Sequence, residues 1–276
     1  MLRDATTWLL DNNLQLLVTA ISCIFLVETA GLLPRGRSID RSQTARSALA
    51  GFAYLIGKIV GTKASIFVLY IWLWENYRLF DIPVFTWWSW LVLWVIGDFA
   101  YYWIHRMEHS TRLFWASHSI HHSSTDFNYT TAVRMPWMEM FYKPVIVLWA
   151  PLLGFDPMMY AALGALALIF GQLQHSETVG SLGVLDKIFV TPVNHRVHHA
   201  SNTEYLDTNF GASFIVWDRM FGTYQAFDET ITIRYGILHD KTRGRLIDVL
   251  TGGFPQLLSD LRCRRITGRQ LFTMNA

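Results

Sequence analysis

Apolar residues along this chain gather into long runs separated by short polar segments. A membrane helix needs about 20 mostly apolar residues, and five runs are candidates. The first spans residues 14–33, holds Glu28 and ends at Pro34; a basic stretch with Arg35, Arg37, Arg41 and Arg46 follows. The second spans about 48–74, with Lys58 and Lys63 in its first half and its most apolar part at 64–74. The third, approached through Pro83, spans 85–102 and runs straight into His105. The fourth and fifth, 138–153 and 158–174, are joined by Gly154-Phe155-Asp156-Pro157. This is a tight turn in which Asp156 is placed to cap the next helix and Pro157 to take its first position. Both runs are short, so a re-entrant hairpin is an alternative to two crossings. The last hundred residues are polar and Gly-punctuated and read as a water-facing domain.

Composition agrees with a membrane protein. The 276 residues are 52% hydrophobic and 15% aromatic, and only 16% charged, against roughly a quarter in a soluble domain. Twelve Trp and eleven Tyr suit interfacial belts. The net charge of +2 says little, but its distribution orients the chain. An N-terminus outside with five crossings leaves only Arg3 and Arg78 outside and Lys58 and Lys63 within the second run. The remaining basic residues then face the cytoplasm, as the positive-inside bias requires. Cys23 and Cys263 lie far apart and support neither a disulfide framework nor a cysteine metal site. The N-terminus shows no cleavable signal peptide, and there is no internal repeat.

The same topology puts every histidine on the cytoplasmic side. All ten lie between residues 105 and 239, eight of them in three clusters. These are His105 and His109 (HxxxH), His118, His121 and His122 (HxxHH), and His195, His198 and His199 (HxxHH). Residues i, i+3 and i+4 share a helical face, and neutral imidazole is the commonest metal ligand at neutral pH. Eight ligands exceed what one tetrahedral zinc needs. They suit a pair of ions with open positions, a pattern of oxygen-activating chemistry. His175 ends the fifth run and is placed to be a ninth ligand, whereas His239 has no partner at helical spacing and reads as an ordinary polar residue. Asp98 lies seven residues before His105, on the same face, and is a candidate to accept a hydrogen bond from a ligand imidazole; pairing with Arg106 is the alternative. The fold expected is therefore an all-α integral membrane protein of four to five transmembrane helices, with a cytoplasmic helical cap carrying a histidine-rich di-metal site. Residues 1–84 are expected to be N-terminal membrane helices, 85–240 the catalytic domain and 241–276 a basic tail.

The likeness to a known family extends past the histidines. The segments 98–109, 113–124 with Phe127, Asn128 and Arg134, and 194–199 resemble the three histidine boxes of the fatty acid hydroxylase/sterol desaturase superfamily. The stretches 202–211, 217–223 and 235–237 resemble the tail that follows the last box. The segment from Gln172 to His175 and the Asn194–His199 box look most like the branch of alkylglycerol monooxygenase-like and bacterial sterol desaturase-like proteins. The resemblance implies two non-haem iron ions, O₂ as co-substrate, and a membrane lipid as substrate: a sterol, a fatty acyl chain or an alkyl glycerol ether. Zinc can replace iron in a purified sample, since imidazoles bind both. Aromatics such as Trp87, Trp88, Trp90, Trp94, Phe99, Tyr101 and Tyr102 are candidates for the substrate route, although each alone reads as an interfacial anchor. No GxGxxG fingerprint or haem-binding segment is present, so electrons come from a separate cytochrome b5, ferredoxin or NAD(P)H reductase. Arg243, Arg245, Arg262, Arg264, Arg265 and Arg269 are placed to meet lipid headgroups or an acidic donor. No nucleic-acid partner is implied, and the sequence sets no oligomeric state. The expected location is a bacterial inner membrane or the endoplasmic reticulum. Two other classes compete: a metal transporter or store would spread ligands through the membrane, and a zinc hydrolase would need HExxH, which does not occur.

Overall fold

The computed structural model describes residues 40–57, 65–237, 246, 248–263 and 265–272. The described part is helical throughout, with two isolated bridges, Phe189 to Phe214 and Ala200 to Tyr235, and no extended strand. The first candidate span, His239 and residues 58–64 of the second span lie outside the described residues.

Helix α1 (Arg41–Gly57) starts on Asp40, whose carboxylate accepts from the Ser42 and Gln43 amides at 2.7 and 3.3 Å. It buries Gln43, Ser47 and Ala50, one face of the helix. Gly51 lets this face approach Val133 closely, since a Cβ there would press on the Val133 side chain and carbonyl. Helix α2 (Ser65–Tyr77) leads to α3 (Trp87–Ser110), whose 24 residues make it the longest described element, about 36 Å. After a break at Thr111, α4 (Arg112–His122) turns back against α3 and is buried from Ala116 to His122.

Asn128 caps α5 (Tyr129–Val133) by accepting from the Thr130 and Thr131 amides, while Thr131 Oγ1 accepts from the Asn128 amide. This capping box fixes the turn after the second histidine cluster. The fourth candidate span is not one helix. It consists of α6 (Glu139–Ile146) and α7 (Trp149–Leu153), with Pro144 and Pro151 inside them and a break between. Proline removes a helical hydrogen bond and clashes with the preceding turn. The segment also buries Glu139 and packs Lys143 against it. Gly154 ends α7 at φ 110°, where a Cβ would collide with the Phe80 carbonyl. The turn into α8 (Pro157–Gln174) forms as its sequence predicts, with Asp156 accepting from the Met158 amide at 2.7 Å and Pro157 in the first position. Among the described residues α8 alone is both long and apolar enough to cross a membrane, with mean hydropathy 1.3. Helix α3 has the length, but its Trp and Tyr rings are amphipathic rather than simply apolar.

The last part is made of short elements: α9 (Pro192–His198), α10 (Val216–Phe221), α11 (Asp248–Thr251), α12 (Phe254–Arg262) and three single turns. It is less uniformly polar than its composition suggests. Leu182, Val184, Leu185 and Ile188 are exposed, and Phe214 packs on Trp94 of α3 with Phe189 stacked on it. Apolar packing is divided among small clusters, such as Leu93, Ala150, Phe155 and Met159 joining α3, α7 and α8. The middle of the molecule is polar instead, filled by buried histidines and the groups that hold them.

Candidate metal centre

Four helix ends meet at this centre. His105 and His109 occupy the last turns of α3, His118, His121 and His122 the end of α4, His175 the C-cap of α8, and His195, His198 and His199 the end of α9. All nine rings come together in two groups whose ligand atoms lie within 4.8 Å of one another. One group is His105, His109, His118, His122 and His198; the other is His121, His175, His195 and His199. The HxxHH spacing explains the division. Positions i and i+4 (118 and 122, 195 and 199) stay in one group, and the i+3 ring between them serves the other. The groups adjoin: His122 stacks on His199 with centroids 4.3 Å apart, and His195 on His198 at 5.4 Å.

Most rings turn one nitrogen outward to an oxygen acceptor. His105 Nδ1 meets the Phe210 carbonyl at 2.9 Å, His121 Nδ1 that of Arg134 at 3.3 Å, His175 Nδ1 that of Gly171 at 2.8 Å and His198 Nδ1 that of Thr208 at 2.9 Å. His109 Nδ1 faces Asp207 at 3.3 Å, and His118 Nδ1 faces Glu139 at 3.2 Å. An oxygen can only accept, so Nδ1 carries the proton and the Nε2 lone pair is left for the interior. The inward nitrogens crowd each other: His105 and His118 at 3.1 Å, and His175 with His121, His195 and His199 at 3.3, 3.1 and 3.2 Å. Nε2 of His109, His122 and His198 is buried with no hydrogen-bond partner.

These features fit metal ions. Lone pairs facing each other repel unless a cation lies between them. Nitrogens bound to one ion at about 2.0–2.1 Å, with right-angle to tetrahedral geometry, are about 2.9–3.4 Å apart. Burial, reinforced in most of the rings by mutual repulsion, keeps them neutral. It pushes His118 and His175 down to about 4 and His109 and His198 to about 3, and it holds His105, His121, His122, His195 and His199 well below the ordinary histidine value. Aromatic rings close the site. Phe127 stacks on His175 and is backed by Tyr235, and Phe210 packs against His105, His109 and His198.

Asp98 does not hold an imidazole. Its Oδ1 accepts from the Ser213 amide at 2.6 Å, and its Oδ2 from the Phe214 amide at 3.1 Å and Trp217 Nε1 at 2.9 Å. Seven residues share a helical face but are about 10 Å apart along the axis, too far for a side chain to reach the ring of His105. Arg106 is not its partner either; it donates to the Tyr102 hydroxyl. Asp98 works at one remove, together with Asp218, which accepts from the Phe210 and Gly211 amides. The two carboxylates pin the strap 210–217, whose Phe210 carbonyl orients His105. Asp98→Ala strands three donors, one buried and two part-buried, each such bond to a charged acceptor contributing about 1.5–3 kcal/mol. The expected outcome is faster hydrogen exchange at Ser213 and Phe214 and weakened metal retention; unchanged exchange there would contradict this role.

Sequence reasoning missed Glu108, Glu139, Lys143 and Asp207. Asp207 and Asn209 carry the signal of left-handed backbone, φ 55° and 57°, which Asp and Asn adopt more readily than other non-glycine residues. Of the aromatics proposed for a substrate route, Tyr101 contacts a site ring, His105, at 5.5 Å between centroids. Trp87 and Trp88 point outward, and Tyr102 is buried against Thr223.

Helix ends that gather nine neutral imidazoles into two adjoining groups define a histidine-box metal protein. Residues 90–223, just under half of the chain, match the fatty acid hydroxylase family model. Alkylglycerol monooxygenase of Homo sapiens is 39% identical over 175 residues, 62% of this chain and 38% of the human protein. The ornithine lipid hydroxylase of Rhizobium tropici is 31% identical over 136 residues, 47% of this chain and 40% of its own. A Delta(7)-sterol 5(6)-desaturase of Gibberella zeae is 27% identical over 152 residues, 50% of this chain and 44% of its own. Each match thus spans less than half the length of the relative. No solved structure matches the chain.

Proposed function

We propose that this chain is an O₂-dependent di-iron oxidoreductase that hydroxylates or desaturates a C–H bond of a membrane lipid. The observation that carries the reading is the pair of adjoining, buried, neutral histidine groups inside a fatty acid hydroxylase domain. One iron would be held by His105, His109, His118, His122 and His198, the other by His121, His175, His195 and His199. The chemistry two such irons supply when bound is reduction of O₂ to an oxidant able to take hydrogen from an unactivated C–H bond. The residues around them do the rest. Carbonyls and carboxylates fix the tautomers of six of the nine imidazoles, and Phe127, Tyr235 and Phe210 exclude water from the rings. The names of the relatives favour alkylglycerols, ornithine lipids or sterols as substrates, with alkylglycerols first by identity. Electrons would come from a separate donor of the cytochrome b5, ferredoxin or reductase type.

We further read the protein as a multi-pass membrane protein of four to five spans with a cytoplasmic active site. Residues 1–84 would form membrane helices, 85–240 the catalytic domain and 241–276 a basic tail. The family match at 90–223 lies within the middle segment and supports that division. A transport or storage role is not favoured, because among the described residues the ligand atoms form two compact groups rather than a path. The full chain, purified without oxygen, is expected to hold about two irons and to oxidise a component of a lipid extract only when O₂ and reductant are supplied. Lipid profiles of cells with and without the gene then identify that component. Iron-loaded protein that alters no lipid would overturn the reading.

A further inference from the structure

We infer that Glu139, with Glu108 fixed beside it, is a positioning residue that makes the two histidine groups unequal, giving the five-histidine position an anionic support that the four-histidine position lacks. The inference rests on the di-iron reading above and concerns how the protein divides its charge between the two ions.

The asymmetry lies in what stands behind each ring. In the four-histidine group the outward nitrogens identified are held by backbone carbonyls, those of Gly171 and Arg134. In the five-histidine group His118 is different. Its Nδ1 lies 3.2 Å from Glu139 Oε1 and 3.4 Å from Glu108 Oε2, and both carboxylates are buried. Its Nε2 faces inward, 3.1 Å from His105 Nε2. The other carboxylate on this group, Asp207 beside His109, is half exposed at 51% and its charge is screened by solvent.

The two glutamates come from separate helices. Glu108 sits between His105 and His109 on α3, and Glu139 opens α6. Lys143, one turn beyond Glu139, holds them together with Nζ 2.7 Å from Glu139 and 3.1 Å from Glu108. The Tyr142 hydroxyl donates to Glu108. The ammonium occupies the place from which both carboxylates could be reached, so Glu108, His118 and Glu139 do not form a third metal site. One ammonium faces two carboxylates, so up to one negative charge is left uncompensated in a dry environment, and Glu108 Oε2 has no hydrogen-bond donor. The direction in which that charge can be compensated is through the His118 ring, toward a cation at Nε2.

A carboxylate behind an imidazole raises its basicity and fixes its orientation more firmly than a neutral carbonyl does. The five-histidine position should therefore hold its ion more tightly and in a more electron-rich field. Glu139→Gln keeps the shape and an acceptor oxygen while removing the charge. The test uses full-length iron-loaded protein, followed by iron release to a ferrous chelator and by Mössbauer spectroscopy. The wild type is expected to release one iron quickly and one slowly, with two distinct quadrupole doublets. In E139Q the slow release should accelerate about 10- to 100-fold, and one doublet should move while the other stays. If E139Q fails to fold, Glu108→Gln makes the same prediction and decides the matter. Folded variants with unchanged slow release and unchanged doublets would overturn the inference. Two irons already identical in the wild type would overturn it while leaving the di-iron reading intact. A wild type that binds no iron would remove the reading beneath it.

Discussion

Replacing His175 with alanine is expected to cost one of the two irons and reduce lipid oxidation by at least about 100-fold, since even loss of an outer partner of a metal ligand costs 10- to 100-fold. His175 is the hub of the four-histidine group. Its Nε2 lies within 3.3 Å of the corresponding nitrogens of His121, His195 and His199, the closest at 3.1 Å. Its Nδ1 is held by the Gly171 carbonyl and its ring face by Phe127. Both supports come from outside the three sequence clusters. The five-histidine group shares no member with it and should keep its ion. Iron per chain and turnover on the identified lipid are the two measurements. A variant that keeps both irons and its activity would show that His175 supports the site without binding metal.

The sequence exposes His175 as a residue at a helix end but not as this hub. The reason is geometric. Helical spacing shows that 118, 121 and 122 share a face, yet i+3 and i+4 differ by a rotation that only the facing helices convert into two destinations. The division therefore depends on α3, α4, α8 and α9 converging, which is long-range information. Asp98 illustrates the opposite error. Its register matched His105, but the rise along α3 put it beside the strap 210–217. The span 138–153 was mistaken for one helix because an apolar average hides Pro144 and Pro151. The same averaging hides Glu139 and Lys143, which form the buried network behind His118. Local signals fared better. The Asp156-Pro157 start of α8 is fixed by neighbours in sequence and formed where the residues called for it.

Acidification is expected to unfold the metal-free protein steeply below pH 6.5. The ordinary histidine value is 6.5, and in the folded protein burial depresses His118 and His175 to about 4 and His109 and His198 to about 3. Well above pH 6.5 neither the folded nor the unfolded chain binds a proton at these rings, and their titration costs nothing. Between 6.5 and about 4 the unfolded chain takes up protons that the folded chain refuses, so stability falls as pH falls. Each such ring contributes about 1.4 kcal/mol per pH unit. The four rings acting together would remove about 5–6 kcal/mol per unit, against the 5–15 kcal/mol that typically holds a domain folded. Loss of structure by about pH 5 follows, with more than one proton taken up per molecule. Bound iron competes for the same nitrogens and adds its binding energy to the folded state, so the loaded protein should unfold at distinctly lower pH. Parallel titrations of both forms by circular dichroism in one detergent make the comparison. A metal-free protein that stays folded to pH 4, or an iron-loaded one no more resistant than the metal-free form, would mean that the imidazoles are not the buried neutral donors on which the centre depends.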